Sequence, residues 1–299
     1  MLDPKIYTLL KVYELESFSK ASKSLSITQP AVSQHIRALE EEYNTTIFSR
    51  VNGRFVVTRE GEMIVQTARK LIGMNNLLKQ MLNDHSGALE HISIGITHTA
   101  ESNPIAEALA KYCSENEGIS IRIVTDTIRN LYKMLKSFEL DMIIVEGRSQ
   151  EEGVNYLMLD TDYLVLVISP SHPYANRELI TLNELKKENL ILRLPNSGTR
   201  ELFVAHLKSN NMSINDFNVI LELDNVATIK DLIRHNFGVS VLPKSACLDE
   251  LKKGKIKVLP IENLSMIRET NIVYRSDLKN SDTLLKIVRS YHEILSLYQ

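Results

Sequence analysis

Residues 17–58 restrict the possible folds of this chain more than any other stretch. Ser17-Phe18-Ser19 offers N-cap chemistry for a short helix that ends by about Ser26, with Ala21 and Leu25 facing inward. Thr28 can cap a second helix, and Pro30 falls in its first turn, where the missing backbone donor costs nothing. Val32, Ile36, Leu39 and Tyr43 recur on one side of that helix as its core face. The opposite side carries Gln29, Ser33, Gln34 and Arg37, polar groups able to reach phosphates or base edges. Two short helices joined by a tight turn, the second with a donor-rich face, read as a helix-turn-helix. Ahead of it, Leu2, Ile6, Leu9, Leu10 and Tyr13 form one stripe of a first helix. Behind it, two β-prone runs, 46–50 and 54–58, flank Val51-Asn52-Gly53, which predicts a β wing with Arg50 and Arg54 placed for backbone phosphates. Each polar face taken singly is equally a solvated surface; the combination is what points to DNA.

A chain of 299 residues suggests two or three domains and can bury a core without disulfides or metals. With 43% hydrophobic and 24% charged residues, disordered, fibrous and disulfide-scaffold classes are excluded. Charged residues interrupt every apolar run, so no membrane span is expected, and the N-terminus shows no secretory pattern. Cys113 and Cys247 lie outside any CxxC spacing, which fits a cytoplasmic location and buried, unreactive roles in separate parts of the fold. The net charge of −2 means that DNA affinity must come from local placement. Glu40, Glu41 and Glu42 cluster at the far end of the polar helix, away from Arg37 and the wing arginines.

From Arg59 to about Asp84 there is no proline, and Ile64, Ala68, Leu71, Asn75, Leu78 and Leu82 alternate spacings of four and three. This heptad-like seam predicts a helix about 39 Å long that pairs two subunits, with Asn75 setting register; a helix packed inside its own chain is the other reading. Beyond it strands alternate with helices. Strands are expected at 92–96, 119–125, 142–146 and 157–159, then at 164–169, 190–194, 219–223, 239–242 and 268–274. Helices are expected at 105–114, 131–138, 182–187, 199–209, 227–235, 245–252 and 282–297. This is βαβ logic, an α/β class with mostly parallel sheets.

The run 18–42, followed by Ile47-Phe48-Ser49-Arg50 and Thr58-Arg59-Glu60-Gly61, closely resembles the LysR-type transcriptional regulators, and the layout of the remaining chain agrees over its whole length. The resemblance implies a winged helix-turn-helix DNA-binding domain at 1–58 and a dimerisation linker helix at 59–87. It further implies an effector-binding domain at 88–299, similar to a periplasmic binding protein with two Rossmann-like α/β lobes. Lobe 1 would be 88–161 and 268–299, lobe 2 162–267, with crossings at about 161–163 and 264–267. A homodimer, and by resemblance a homotetramer, would meet double-stranded DNA at an inverted-repeat operator whose half-sites lie ~34 Å apart. Residues 43–46 depart from the family pattern, which usually has a glycine there.

Ligands of open α/β sheets sit at the carboxyl ends of strands, here the cleft between lobes. The segments reaching such ends are Thr97, His98, Thr99 and Ser102 in lobe 1 and Asn196, Ser197, Gly198, Thr199 and Arg200 in lobe 2, with Asn225 a further candidate. Free helix amides and the helix dipole make an anion site, so a small anionic effector is expected. Ordinary helix capping accounts for the same Ser and Thr residues, and Arg200 either meets the ligand or pairs with Glu201, Glu222 or Asp224. No metal, cofactor or catalytic residue is expected: the eight histidines are scattered and no nucleophile–base motif occurs. The rival from another class is a small-molecule-binding protein or enzyme that works through the α/β lobes and uses its N-terminal helices only to oligomerise. In that case the protein would show no preference for any DNA sequence.

Overall fold

The computed structural model describes residues 2–84, 90–102, 104–277 and 281–298, apart from the side chains of 80, 81, 83, 84, 90, 102 and 281. The chain divides into two compact units, one of residues 1–88 with 136–139 and one of 89–135 with 140–299.

In the first unit, α1 (Pro4–Leu15), α2 (Phe18–Leu25) and α3 (Gln29–Glu42) each start at a side-chain cap. Asp3, Ser17 and Thr28 accept hydrogen bonds from the backbone N–H groups of Lys5, Lys20 and Ala31. Each bond satisfies a donor that the helix itself cannot pair. Strands β1 (Phe48–Val51) and β2 (Arg54–Val57) pair antiparallel, and Asn52 and Gly53 both take positive φ at the turn, the conformation that Asn-Gly favours. Helix α4 (Arg59–Asp84) has the expected 26 residues. Leu9, Val12, Ala21, Val32, Ile36, Leu39 and Ile47 form the core, joined by Val65 and Ala68 of α4.

Two expectations fail here. Tyr43 is 53% exposed, because α3 ends at Glu42 and Tyr43 is already its C-terminal cap. Ala68, assigned to the dimer seam, is buried in the winged-helix core, so a free seam starts only at Leu71. Asn44, in the segment that departs from the family pattern, takes φ 47°, a left-handed conformation that asparagine tolerates better than most side chains.

The second unit opens with β3 (Glu90–Ile96), α5 (Ile105–Glu115), β4 (Ile119–Thr125), α6 (Ile128–Lys136) and β5 (Met142–Glu146). The helix expected at 131–138 starts one turn earlier and ends by Lys136. Next comes β6 (Val154–Ile168), a single strand of 15 residues. It joins the two strands expected at 157–159 and 164–169 and runs unbroken through the crossing that the resemblance placed at about 161–163. The reason is pairing: β11 (Ile267–Arg275) runs antiparallel to β6 across that stretch, with Thr161 opposite Glu269 and Asp162 opposite Arg268, so the backbone stays laddered where the side chains are polar.

Between those two long strands lie α7 (Leu182–Leu185), β7 (Asn189–Arg193), α8 (Gly198–Ser209) and β8 (Asn218–Leu223). They are followed by α9 (Val226–Arg234), β9 (Ser240–Pro243), α10 (Leu248–Lys252) and β10 (Lys257–Leu259). The sheets are mixed and not mostly parallel. Strands β3, β4, β5 and the pair β7–β8 are parallel, whereas β6 and β11 run antiparallel to their neighbours.

Separate apolar cores define two lobes. One is built around Ile94, Leu109, Tyr112 and Ile144 with Leu131 and Ile143 on the other sheet face; the other is built around Leu166, Leu190, Phe203 and Val241. Closing helix α11 (Ser281–Ser296) adds Leu284, Ile287 and Tyr291 to the first core. No described helix is long and apolar enough to cross a membrane.

Candidate functional site

The polar face of α3 is open. Gln29, Pro30, Gln34 and Arg37 are exposed and Ser33 is half-buried, while Val32, Ile36 and Leu39 on the other side are sealed in the core. Arg50 on β1 and Arg54 on β2 are exposed on the wing. A groove of about 360 Å³ runs between α3 and the wing, lined by Gln29, Ser33, Arg37, Arg50 and the phenylalanines Phe18, Phe48 and Phe55. The three rings pack edge-on or tilted, at centroid distances of 4.9–6.3 Å, and fix the wing against α2 and α3. Glu40 also faces the groove, and its Oε1 accepts from the Ile47 backbone N–H at 2.8 Å, holding the strand entrance beside α3. His35 is drawn to the other side by a 2.8 Å bond between its Nδ1 and the Thr8 hydroxyl.

In the second unit, the ends of β3, β4 and β5 face the first turn of α8 and the ends of β7 and β8. They enclose a small cavity of about 50 Å³ lined by Thr97, His98, Thr99, Asp126, Glu146, Arg193, Asn196, Ser197, Gly198 and Asp224, with Thr127 and Ile128 alongside. Ser197 caps α8 by accepting from the Arg200 N–H, and a Cβ on Gly198 would meet only Ile128, at 3.7 Å. Glycine therefore leaves open space beside unpaired amides at a helix N-terminus, the geometry of an anion cradle.

Two buried guanidinium groups organise the walls. Arg193, 3% exposed, donates to Thr99 Oγ1 at 3.0 Å and to Asp224 Oδ1 at 2.8 Å, and its Nε has no hydrogen-bond partner among the described residues. Arg268, 8% exposed on the crossing strand β11, donates to Thr199 Oγ1 at 3.4 Å. It lies 3.6 Å from Glu146 and 3.5 Å from Asp162, and its Nε and Nη2 make no hydrogen bond among the described residues. Glu146 accepts from the Thr97 hydroxyl at 2.9 Å, and Asp162 is held by the Ser245 hydroxyl at 2.6 Å. An unmet buried N–H costs about 1–3 kcal/mol, and of these two groups only Arg193 lines the cavity.

The expected cleft residues divide. Thr97, His98, Thr99, Asn196, Ser197 and Gly198 come together at the cavity. Thr199 stands just behind it, 3.5 Å from Thr99. Arg200 does not line the cavity: it is buried and donates to Glu222 at 2.9 Å. Asn225 caps α9 and lines a neighbouring outer pocket of about 450 Å³ with His98, Glu101, Asp224 and Lys230. The side chain of Ser102 lies outside the described residues.

Sequence reasoning missed Arg193, Arg268, Glu146 and Asp162. The available signal was a charge at the end of, or inside, an otherwise apolar strand, as in Leu190-Ile191-Leu192-Arg193 and Ile143-Ile144-Val145-Glu146. Cys247 is fully buried, and burial pushes its thiol up to about 12, so it is inert; Cys113 is only half-buried. Among the described residues no group of His, Cys, Asp and Glu is arranged to hold a metal ion.

A winged helix-turn-helix in one unit and a two-lobed α/β cleft in the other define a class: DNA-binding regulators that answer to a small molecule. Residues 5–62 match the model for the bacterial regulatory helix-turn-helix protein, lysR family, and residues 85–294 match the model for the LysR substrate binding domain. The chain belongs to the LysR family of transcriptional regulators. An HTH-type transcriptional regulator of Methanocaldococcus jannaschii is 29% identical over 99% of both chains, and the regulator CysL of Bacillus subtilis is 24% identical over 96% of both. The fold is shared with CbnR, a LysR family transcriptional regulator, at a TM-score of 0.69 and 14% identity over 98% of this chain and 99% of that one. It is also shared with a Corynebacterium glutamicum OxyR at 0.62 and 21% over 99% and 94%.

Proposed function

We propose that this regulator reads an inverted-repeat operator in double-stranded DNA as a homodimer, through Gln29, Ser33, Gln34 and Arg37 of α3 in the major groove. Pro30 fixes the first turn that presents them, and Arg50 and Arg54 hold phosphates on either side. The observation that carries this reading is the two-sidedness of α3, apolar inward and donor-rich outward, with wing arginines beside it. CbnR, whose fold is shared, has been seen complexed with its target DNA, at a TM-score of 0.68. The operative domains are 1–58, the linker helix 59–87 and the effector domain 88–299, acting in the cytoplasm; residues 85–87 of that linker lie outside the described residues.

Pairing is supported by Leu71, Met74, Leu78 and Leu82, all exposed along α4, and by an apolar groove of about 240 Å³ lined by Ile6, Leu9, Tyr43, Met63 and Leu71. An exposed apolar stripe of this length on a helix calls for a partner. Assembly of two dimers into a homotetramer follows the family.

A small effector with an anionic group binds the cleft at the N-terminus of α8. It acts by its difference in affinity between two arrangements of the assembly, since a ligand with equal affinity for both would shift nothing. The test is a mobility shift with the DNA upstream of the protein's own gene against shuffled competitor. A regulator retains that DNA at competitor excess. A protein whose lobes alone do the work shows no preference.

A further inference from the structure

The cavity between the lobes has more acid than an anion site needs. Its lining brings three carboxylates, Asp126, Glu146 and Asp224, against one guanidinium, Arg193, and contains no lysine. Behind it Arg268 stands between Glu146 and Asp162 and does not change the sign. A plain carboxylate or sulfate would enter a field that is negative on the lobe 1 side. A plain cation would leave the α8 amides and the buried Arg193 Nε without an acceptor.

The uncommitted atoms are also segregated. Asp224 on the lobe 2 side is already paired with Arg193 at 2.8 Å, and the donors left there are the first-turn amides of α8 and the Arg193 Nε. On the lobe 1 wall, Asp126 uses Oδ1 for the Thr127 N–H and the Asn130 side chain, and Glu146 uses Oε1 for Thr97, so each keeps an oxygen without a hydrogen bond. The cavity of about 50 Å³ exceeds the ~10–15 Å³ that a single water needs, and it admits at most a head group of a few heavy atoms. His98 and Asp224, 3.8 Å apart, line both this cavity and the outer pocket of about 450 Å³, which is where the rest of a longer ligand would lie.

We propose that the effector is zwitterionic, a small α-amino acid or similar ammonium carboxylate, whose carboxylate faces the α8 amides and Arg193 while its ammonium faces Glu146 and Asp126. This rests on the reading of the cleft as the effector site. Each charge then meets an atom left without a hydrogen bond, the Arg193 Nε beside the α8 amides on one wall and a second carboxylate oxygen of Glu146 or Asp126 on the other.

Titration calorimetry of the full chain with the L-amino acids tests the assignment. It is run beside amine-free counterparts of the small ones (acetate, propionate, lactate), inorganic sulfate, and the amines methylamine and ethanolamine. The assignment expects at least one amino acid to bind 10-fold or more tighter than both its amine-free acid and the simple amines. It also expects Glu146→Gln, with its circular dichroism unchanged, to erase the advantage over the acid; Asp126→Asn, at a half-exposed site, should reduce it if the first variant does not fold. Acids or sulfate binding as tightly as amino acids would overturn the zwitterion and leave the anion site standing. Amines binding as tightly would overturn it from the other side. No binding by any member of the series would count against the cleft reading as well.

Discussion

The proposed DNA-reading face and the proposed effector cleft both rely on arginine, in opposite physical settings. On α3 and the wing, Gln29, Gln34, Arg37, Arg50 and Arg54 stand in water, where a polar side chain costs the fold nothing and is free to exchange its waters for DNA. In the cleft, Arg193, Arg268, Glu146 and Asp162 are buried, so their charges must be matched within the protein whether or not a ligand is there. One site is laid on a finished fold, and the other is part of what closes it.

The contrast is broken most severely at Arg268. Arg268→Ala would strand Glu146 and Asp162 as buried carboxylates and should cost about 3–5 kcal/mol, seen as a lower urea midpoint with an unchanged slope. Arg37→Ala on the exposed face should leave the unfolding free energy within about 0.5 kcal/mol of wild type. Should Arg268→Ala unfold like the wild type, the cleft would be no more structural than the DNA face.

The apolar stripe of α4 offers the next largest effect. Leu78, 56% exposed, should be buried in a dimer, and Leu78→Lys should raise the dissociation constant measured by sedimentation about 10- to 100-fold, the equivalent of losing one buried leucine. Arg54→Ala should weaken binding to operator and random DNA alike and lower the salt slope by about one.

The smallest effect sharpens the same comparison in the α/β unit. Burial pushes the Asp141 carboxyl above its usual range, only partly offset by the Ser93 N–H and by Arg275. A raised carboxyl stabilises the fold at acid pH, and that stability is lost as pH rises through the native value, so at neutral pH the ionised form is a cost. Asp141→Asn should therefore raise Tm slightly at pH 7, with the gain vanishing by about pH 4, in scans at both values.

This difference in setting also explains what the sequence disclosed. The winged helix was legible because caps, turn residues and core periodicity are local: Ser17, Thr28 and Asn52-Gly53 announce their geometry within four residues. The cleft was half legible. Thr97 to Thr99 and Asn196 to Gly198 follow strands and could be placed from βα order alone. Arg268 could not, because its partners Glu146 and Asp162 lie more than a hundred residues away and meet it only because β11 pairs with both β5 and β6. The same long-range ladder carries β6 through Asp160-Thr161-Asp162 and joins the strands expected separately at 157–159 and 164–169. Tyr43 misled for the opposite reason: its spacing continues the apolar face of α3 by one turn, but the helix ends first.

The central claim is that α3 reads base sequence, and it is tested most directly by the ratio of affinities for the upstream operator and a shuffled duplex, measured by fluorescence anisotropy at one salt concentration for wild type and Arg37→Ala. The account predicts a wild-type ratio on the order of 10³ or more, reduced about 5- to 100-fold in the variant, with affinity for the shuffled duplex changed far less. An equal loss on both duplexes, leaving the ratio intact, would contradict it.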